Sequence, residues 1–200
     1  MKRIIYLISP SKIYKKFYKD LAKVLASKKV KFFQLRLKKI SKIEIIKIAK
    51  KITKITKKYN VKFIINDIAN ITKKVKADGC HLGQSDDSII LAKEYSKNQI
   101  IGVTCHNSKN LAIKAINNNV DYLAFGSFYN STLKPKAKKA DIKILKWSKK
   151  KVKIPIVAIG GINDKNYKKL INAGANYIAI SSFIWDNPVL KPEFAIKKFK

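Results

Sequence analysis

Short apolar runs alternate with longer amphipathic stretches along the whole chain. The runs at 3–8, 32–37, 62–65, 79–82, 100–104, 122–125, 155–159 and 177–180 are four to six residues long, which suits strands buried on both faces. Helix-like stretches follow them at 12–26, 41–58, 69–74, from Ser88 onward, 108–117, 141–150 and 164–172, and 192–199 closes the chain as a helix. Ser11 and Ser41 stand where an N-cap belongs. Ile43, Ile46, Ala49, Ile52 and Ile55 recur every three residues, so the second helix has one apolar face. A strand-then-helix unit repeated about eight times predicts a parallel sheet. With right-handed crossovers, eight such units close into an α/β fold of the (β/α)₈ TIM-barrel type. An open doubly wound sheet is the alternative. No linker or break in composition divides residues 1–200, which are expected to form a single domain.

Barrels of this kind bind ligands where the strands end. The residues after each apolar run are therefore the candidates for chemistry. The second run carries Gln34, Arg36 and Lys38 on one face, because strand side chains alternate. Arg36 and Arg3 are the only arginines in the chain, and a planar bidentate donor suits a phosphate. An ion pair between Arg36 and Asp67 is the structural alternative. The third run ends in Asn66-Asp67 and the fourth leads into His81-Leu82-Gly83-Gln84-Ser85-Asp86. Asp67 and Asp86 are candidate ligands for a hard cation such as Mg²⁺, which takes one or two protein carboxylates and completes its shell with phosphate oxygens and water. Taken singly, each is better read as a helix cap or a polar-turn residue, and it is their joint placement after neighbouring strands that favours the metal. Thr104-Cys105-His106 follows the fifth run, and a long polar loop with Ser131, Thr132 and Lys134 follows the sixth. Gly160-Gly161 ends the seventh and Ser181-Ser182 the eighth, a pattern that suits a phosphate. His81 lies within an apolar run and reads as a satisfied core residue. Two anion sites, one cation and one basic loop point to a reaction that joins or splits two phosphorylated small molecules.

Composition narrows the classes. The net charge is +33, from 45 Lys and Arg against 12 Asp and Glu. That invites a nucleic-acid reading. However, the lysines are spread over almost every helix-like segment, with no basic arm and no aromatic-basic cluster, so a lysine-rich composition accounts for them and no nucleic-acid partner is expected. No apolar run approaches the roughly 18 residues of a membrane span. There is no signal-peptide pattern at the start. Cys80 and Cys105 form no CxxC pair, so neither zinc nor a disulfide framework is expected. The expected location is the cytoplasm, and self-association is an open alternative.

The motifs Gln34-Leu35-Arg36-Leu37-Lys38, Asn66-Asp67, Asp78-Gly79-Cys80-His81-Leu82-Gly83-Gln84-Ser85-Asp86, Gly102-Val103-Thr104, Asp121-Tyr122 and Ala158-Ile159-Gly160-Gly161-Ile162 occur together and in this order. On them the chain resembles the thiamine-phosphate synthase family over nearly its whole length. The Gly102–His106 stretch is similar to an alphaproteobacterial branch of it. The resemblance implies a barrel enzyme, a Mg²⁺-dependent transferase. It would couple 4-amino-2-methyl-5-hydroxymethylpyrimidine diphosphate to a thiazole phosphate, through a pyrimidine carbocation, giving thiamine phosphate and pyrophosphate. It further implies Asp67 and Asp86 as Mg²⁺ ligands. Gln34, Arg36, Lys38 and Asn66 would hold the pyrimidine diphosphate, with Thr104 near the pyrimidine and Ser131 and Lys134 on the pyrophosphate. Thr104, Ser131 and Lys134 would form the catalytic set, and Gly161, Ser181 and Ser182 would bind the thiazole phosphate. The loop after the sixth run departs from the family's Pro-Thr-x-Thr-Lys, reading Asn130-Ser131-Thr132-Leu133-Lys134. A thiazole tautomerase of the same fold is the nearest alternative, but it lacks the metal and diphosphate residues present here.

Overall fold

The computed structural model describes residues 3–84, 88–130 and 139–200. Its centre is a closed parallel barrel in which each strand pairs with the next and the last pairs back to the first. The strands are β1 (Ile5–Ile8), β2 (Val30–Leu35), β3 (Lys62–Asn66), β4 (Gly79–Leu82), β5 (Ile100–His106), β6 (Tyr122–Gly126), β7 (Ile156–Ile159) and β8 (Tyr177–Ile180). Around them lie α1 (Phe17–Ala26), α2 (Lys42–Lys58), α3 (Ile89–Tyr95), α4 (Lys109–Asn117), α5 (Lys143–Lys151), α6 (Tyr167–Ala173), α7 (Ser182–Trp185) and α8 (Pro192–Ala195). The (β/α)₈ expectation is met. No helix among the described residues is long and apolar enough to cross a membrane.

The continuous apolar runs follow from burial on two sides. Ile5, Leu7, Phe33, Phe63, Ile65, Leu123 and Phe125 point outward under the helices. The alternate positions, Tyr6, Ile8, Phe32, Ile64, Tyr122, Ala124, Val157 and Ala179, fill the barrel interior. Period-two geometry sorts one run into two cores.

Serine caps set three helix starts. The hydroxyls of Ser41, Ser88 and Ser108 accept from the backbone N–H groups of Glu44, Leu91 and Leu111, each at 3.2 Å. Such a cap is worth about 1 kcal/mol. Ser11 does not cap α1, contrary to expectation. The helix begins at Phe17, whose N–H donates to the Tyr14 carbonyl at 3.0 Å. Residues 12–16 instead form a turn that lays Ile13 and Tyr14 on the core. The start of α6 shifts for a similar reason. Asn163 Oδ1 accepts from the N–H groups of Lys165 (2.9 Å) and Asn166 (3.1 Å), so an Asn-centred turn occupies the place expected for the first helical residues.

The N-terminal rim of the barrel has a repeated tie. Asp78 Oδ2 accepts from Phe63 N (2.8 Å), Asp121 Oδ2 from Ile101 N (2.8 Å), and Asn176 Oδ1 from Ile156 N (2.8 Å). Each of these residues stands just before an even-numbered strand and holds the start of the odd-numbered strand before it. The Asp78-Gly79 and Asp121-Tyr122 motifs therefore serve the fold at this end, away from the strand ends where ligands bind. Gly79 has its own reason there: a Cβ would lie 1.9 Å from the Ile100 carbonyl oxygen.

Candidate active site

The C-terminal ends of β2 and β3 bring together most of the expected diphosphate residues. Gln34 is buried beneath the mouth of the barrel, 2 % exposed, in register with Ile8 on one side and Ile64 on the other. β2 ends at Leu35, and Arg36 continues its direction, held by Ser9. The Arg36 N–H donates to Ser9 Oγ at 3.0 Å, and Ser9 Oγ is 3.2 Å from the Arg36 carbonyl, to which it can donate. Lys38, beyond it, is exposed and forms an ion pair with Asp67. Asp67 thus pairs with Lys38, and the alternative of an Arg36–Asp67 ion pair is not seen among the described residues. The Asp67 backbone adopts φ +67° and its N–H donates to the His81 carbonyl at 2.8 Å. Asp and Asn tolerate that left-handed conformation better than most residues. The turn therefore aims the carboxylate across the mouth toward β2. Asn66, at the end of β3, is in register with His81 of β4.

Thr104 sits at the mouth end of β5, and its hydroxyl lies 2.8 Å from His81 Nε2. Gln84 Nε2 donates to the Thr104 carbonyl at 2.5 Å, so the residues after β4 are anchored on β5. His81 is 8 % exposed and hydrogen-bonded, as its apolar surroundings predict. His106, at the end of β5, is exposed and has φ +50°.

On the far side of the mouth, Gly160 and Gly161 follow β7 with φ +107° and +60°. A Cβ on Gly161 would lie 2.2 Å from the Asn130 carbonyl oxygen. The loop after β6 is bound to this turn, since the N–H groups of Phe128 and Tyr129 donate to the Ile159 and Gly160 carbonyls, each at 3.1 Å. Close packing is thus one reason for glycine here, whatever ligand binds. Ser181, after β8, is nearly buried, and its Oγ donates to the Ser9 carbonyl at 2.9 Å. Ser182 opens α7 beside it.

Ser9 is the residue that sequence reading missed. It is 2 % exposed and bonds Arg36 beyond β2 and Ser181 beyond β8, so it ties two sides of the mouth together. Its signal was available: it follows β1 as the other candidates follow their strands. Asp86, Ser131 and Lys134, with Leu133, lie outside the described residues. Among the described residues no three His, Cys, Asp or Glu side chains gather as a metal site.

Cys80 and Cys105 are both buried. Burial pushes the Cys105 thiol up to about 12. The thiolate that reacts with alkylating agents is then scarce at neutral pH. Iodoacetamide at about pH 8 should leave Cys105 of the folded protein unmodified and label it in guanidinium, as peptide mass spectrometry would show. The same shift has a stability consequence. Below the unfolded-state pKa the thiol is neutral in both states. Above it only the unfolded chain ionises, so stability falls as pH rises from roughly 9 toward 12.

Comparisons with known proteins bear on this arrangement. The model of the family described as thiamine monophosphate synthase matches residues 5–184. The chain is 56 % identical over 200 residues to a thiamine-phosphate synthase of Pelagibacter ubique, covering 100 % of this chain and 97 % of that one. It is 38 % identical over 183 residues to a thiamine-phosphate synthase of Clostridium acetobutylicum, covering 90 % and 86 %. Among solved structures, a thiamine phosphate pyrophosphorylase from Pyrococcus furiosus superposes with a TM-score of 0.88 at 28 % identity, covering 98 % of this chain and 93 % of that one.

Proposed function

The chain belongs to the thiamine monophosphate synthase family, and from that premise we propose how its residues make thiamine phosphate. A pyrimidine diphosphate is held at the ends of β2, β3 and β5, and a thiazole phosphate at the ends of β7 and β8. The observation that carries this reading is the Lys38–Asp67 ion pair at the mouth, with Arg36, Gln34, Asn66 and Thr104 on the strand ends around it.

In this arrangement Arg36 grips the diphosphate through its planar fork, and Lys38 leaves Asp67 to meet the same charge. Gln34 and Thr104 read the polar edge of the pyrimidine, and Asn66 steadies it. Heterolysis of the pyrimidine C–O bond leaves a carbocation and a pyrophosphate. The thiazole nitrogen, held in line by its phosphate at Gly161, Ser181 and Ser182, captures the cation. Because Ser181 Oγ already donates to Ser9, its contribution is to shape the pocket, and Ser182 and Gly161 contact the phosphate. Ser131 and Lys134 complete the pyrophosphate site.

The donor set fits Mg²⁺: Asp67 offers a partly exposed carboxylate at the mouth, and hard cations take few protein oxygens when phosphates supply the rest. Asp67 and Asp86 would hold the ion, which would offset the charge that develops on the departing pyrophosphate. The test is to incubate the purified protein with both substrates and Mg²⁺ and measure thiamine phosphate. Product should form, and excess EDTA should reduce the rate by at least about a hundredfold, with recovery on added Mg²⁺. A rate unaffected by chelator would remove the metal from the reading, and absence of product would remove the reaction.

A further inference from the structure

The end of β1 carries a change of hydrogen-bond partner that no step of the proposed reaction uses. The Ser9 N–H continues the β1–β2 ladder and donates to the Gln34 carbonyl at 2.9 Å. The next rung of a parallel ladder would send the Arg36 N–H to the Ser9 carbonyl. It goes instead to Ser9 Oγ, at 3.0 Å. That oxygen has one proton to give, and it lies 3.2 Å from the Arg36 carbonyl and 3.2 Å from the Pro10 carbonyl. Both hydrogen bonds that the structure gives the Arg36 main chain therefore meet at one buried hydroxyl. The Ser9 carbonyl, released from the ladder, accepts from Ser181 Oγ at 2.9 Å. One residue back, the Ile8 carbonyl accepts from Trp185 Nε1 at 2.6 Å. These two bonds hang α7 and the residue before it on β1.

We propose that Ser9 is a positioning residue for Arg36, and that the end of β1 supports both substrate subsites by separate atoms. Its side-chain hydroxyl serves the diphosphate side, and the main-chain carbonyls of Ile8 and Ser9 serve the thiazole-phosphate side. The inference rests on the assignment of those two ligands to Arg36 and to the residues after β8. Arg36 lies past the last residue of β2, so the strand ladder does not fix its peptide. A guanidinium fork must meet phosphate oxygens in its own plane. Arginine is long, so a small rotation of the Arg36 peptide becomes a large displacement of the fork, and misplacement of a gripping group weakens the contact steeply. Removing the Ser9 hydroxyl takes away the acceptor of the Arg36 N–H and lets that peptide rotate. The same change spares the bonds to Ser181 and Trp185, because their acceptors are main-chain oxygens. The two sides of the support should therefore fail separately.

Steady-state kinetics with each substrate varied in turn tests this. Ser9→Ala should raise KM for the pyrimidine diphosphate about tenfold and change KM for the thiazole phosphate by less than about twofold. Ser9→Cys fills the same space with a poor acceptor and should show the same split, so the result does not depend on a cavity left by alanine. Ser9→Thr keeps the hydroxyl and should bring the pyrimidine-diphosphate KM back to within about threefold of wild type. Trp185→Phe keeps a ring against Phe17 and loses the bond to the Ile8 carbonyl. It should give the reverse split, with KM for the thiazole phosphate about fivefold higher and that for the pyrimidine diphosphate unchanged. Independently of turnover, calorimetric titration with inorganic pyrophosphate and Mg²⁺ should give a Kd about tenfold weaker in Ser9→Ala than in wild type, and unchanged in Trp185→Phe. Equal rises in both KM values, or an unchanged pyrimidine-diphosphate KM in both Ser9→Ala and Ser9→Cys, would overturn the proposal. Failure of wild type to make product would strike the assignment of function, and the pyrophosphate titration would then decide. Weaker binding in Ser9→Ala would support the hold of Ser9 on Arg36, and equal binding would overturn it.

Discussion

Asp67→Asn should lower thiamine phosphate formation by at least about a hundredfold, on the scale of losing one electrostatic contact to developing charge, while the barrel stays folded. Little of the fold depends on the Asp67 side chain. It is partly exposed and its recorded partner is the exposed Lys38, a kind of pair worth about 0–1 kcal/mol. Asparagine suits the φ of +67° at this position. Alanine there would add a backbone cost of about 1–2 kcal/mol, so Asp67→Ala should show the same loss of turnover together with a slightly lower melting temperature. Steady-state assay and a circular-dichroism melt separate the two effects. Full turnover in Asp67→Asn would mean that the carboxylate takes no part in chemistry.

Gly102→Ala should destabilise the protein by about 3 kcal/mol, the upper range for overpacking a filled core. For a chain of this size that corresponds to a fall of roughly 6–12 °C in melting temperature. The new methyl would overlap the Tyr122 ring, whose hydroxyl is held by Tyr6 and His81. The ring has no free direction in which to retreat. Pairing Gly102→Ala with Tyr122→Ala should therefore cost less than the sum of the two single changes. An unchanged melting temperature in Gly102→Ala would show that the barrel interior yields more easily than these contacts imply.

Much of the fold was legible because burial on two faces writes unbroken apolar runs. β4 and β8 match their expected bounds, the cap at Ser41 was visible as a hydroxyl ahead of an amphipathic stretch, and Ser88 and Ser108 stood at expected helix starts, where the structure makes them caps. The start of α1 was not, because Ile13 and Tyr14 carry the apolar pattern into a turn that also faces the core. α7 is four residues long and has too few positions to show a period. At the candidate site, the rule of reading strand ends picked out Gln34, Arg36, Lys38, Asn66, Asp67 and Thr104, which lie at the C-terminal ends of β2, β3 and β5 or just beyond them. It could not show that Lys38, two residues beyond Arg36, reaches Asp67, since pairing across strands depends on how each chain leaves the barrel. His81 read correctly as a satisfied interior residue. Which groups satisfy it depends on β5 and β6 lying beside β4, which no local pattern records.

The three ties at the N-terminal rim have a bearing on how the chain reaches this fold. They join β3 to the start of β4, β5 to β6, and β7 to β8, across 15, 20 and 20 residues. Closing such short loops costs little entropy compared with joining β1 to β8. The molecule is thus divided into two-strand modules that can each form early from local contacts. Sealing β8 against β1 joins the two strands most distant in sequence and carries the largest loop-closure cost. Ser9, which bonds both Arg36 beyond β2 and Ser181 beyond β8, lies across that seam. The barrel mouth is therefore completed only when the ring itself closes.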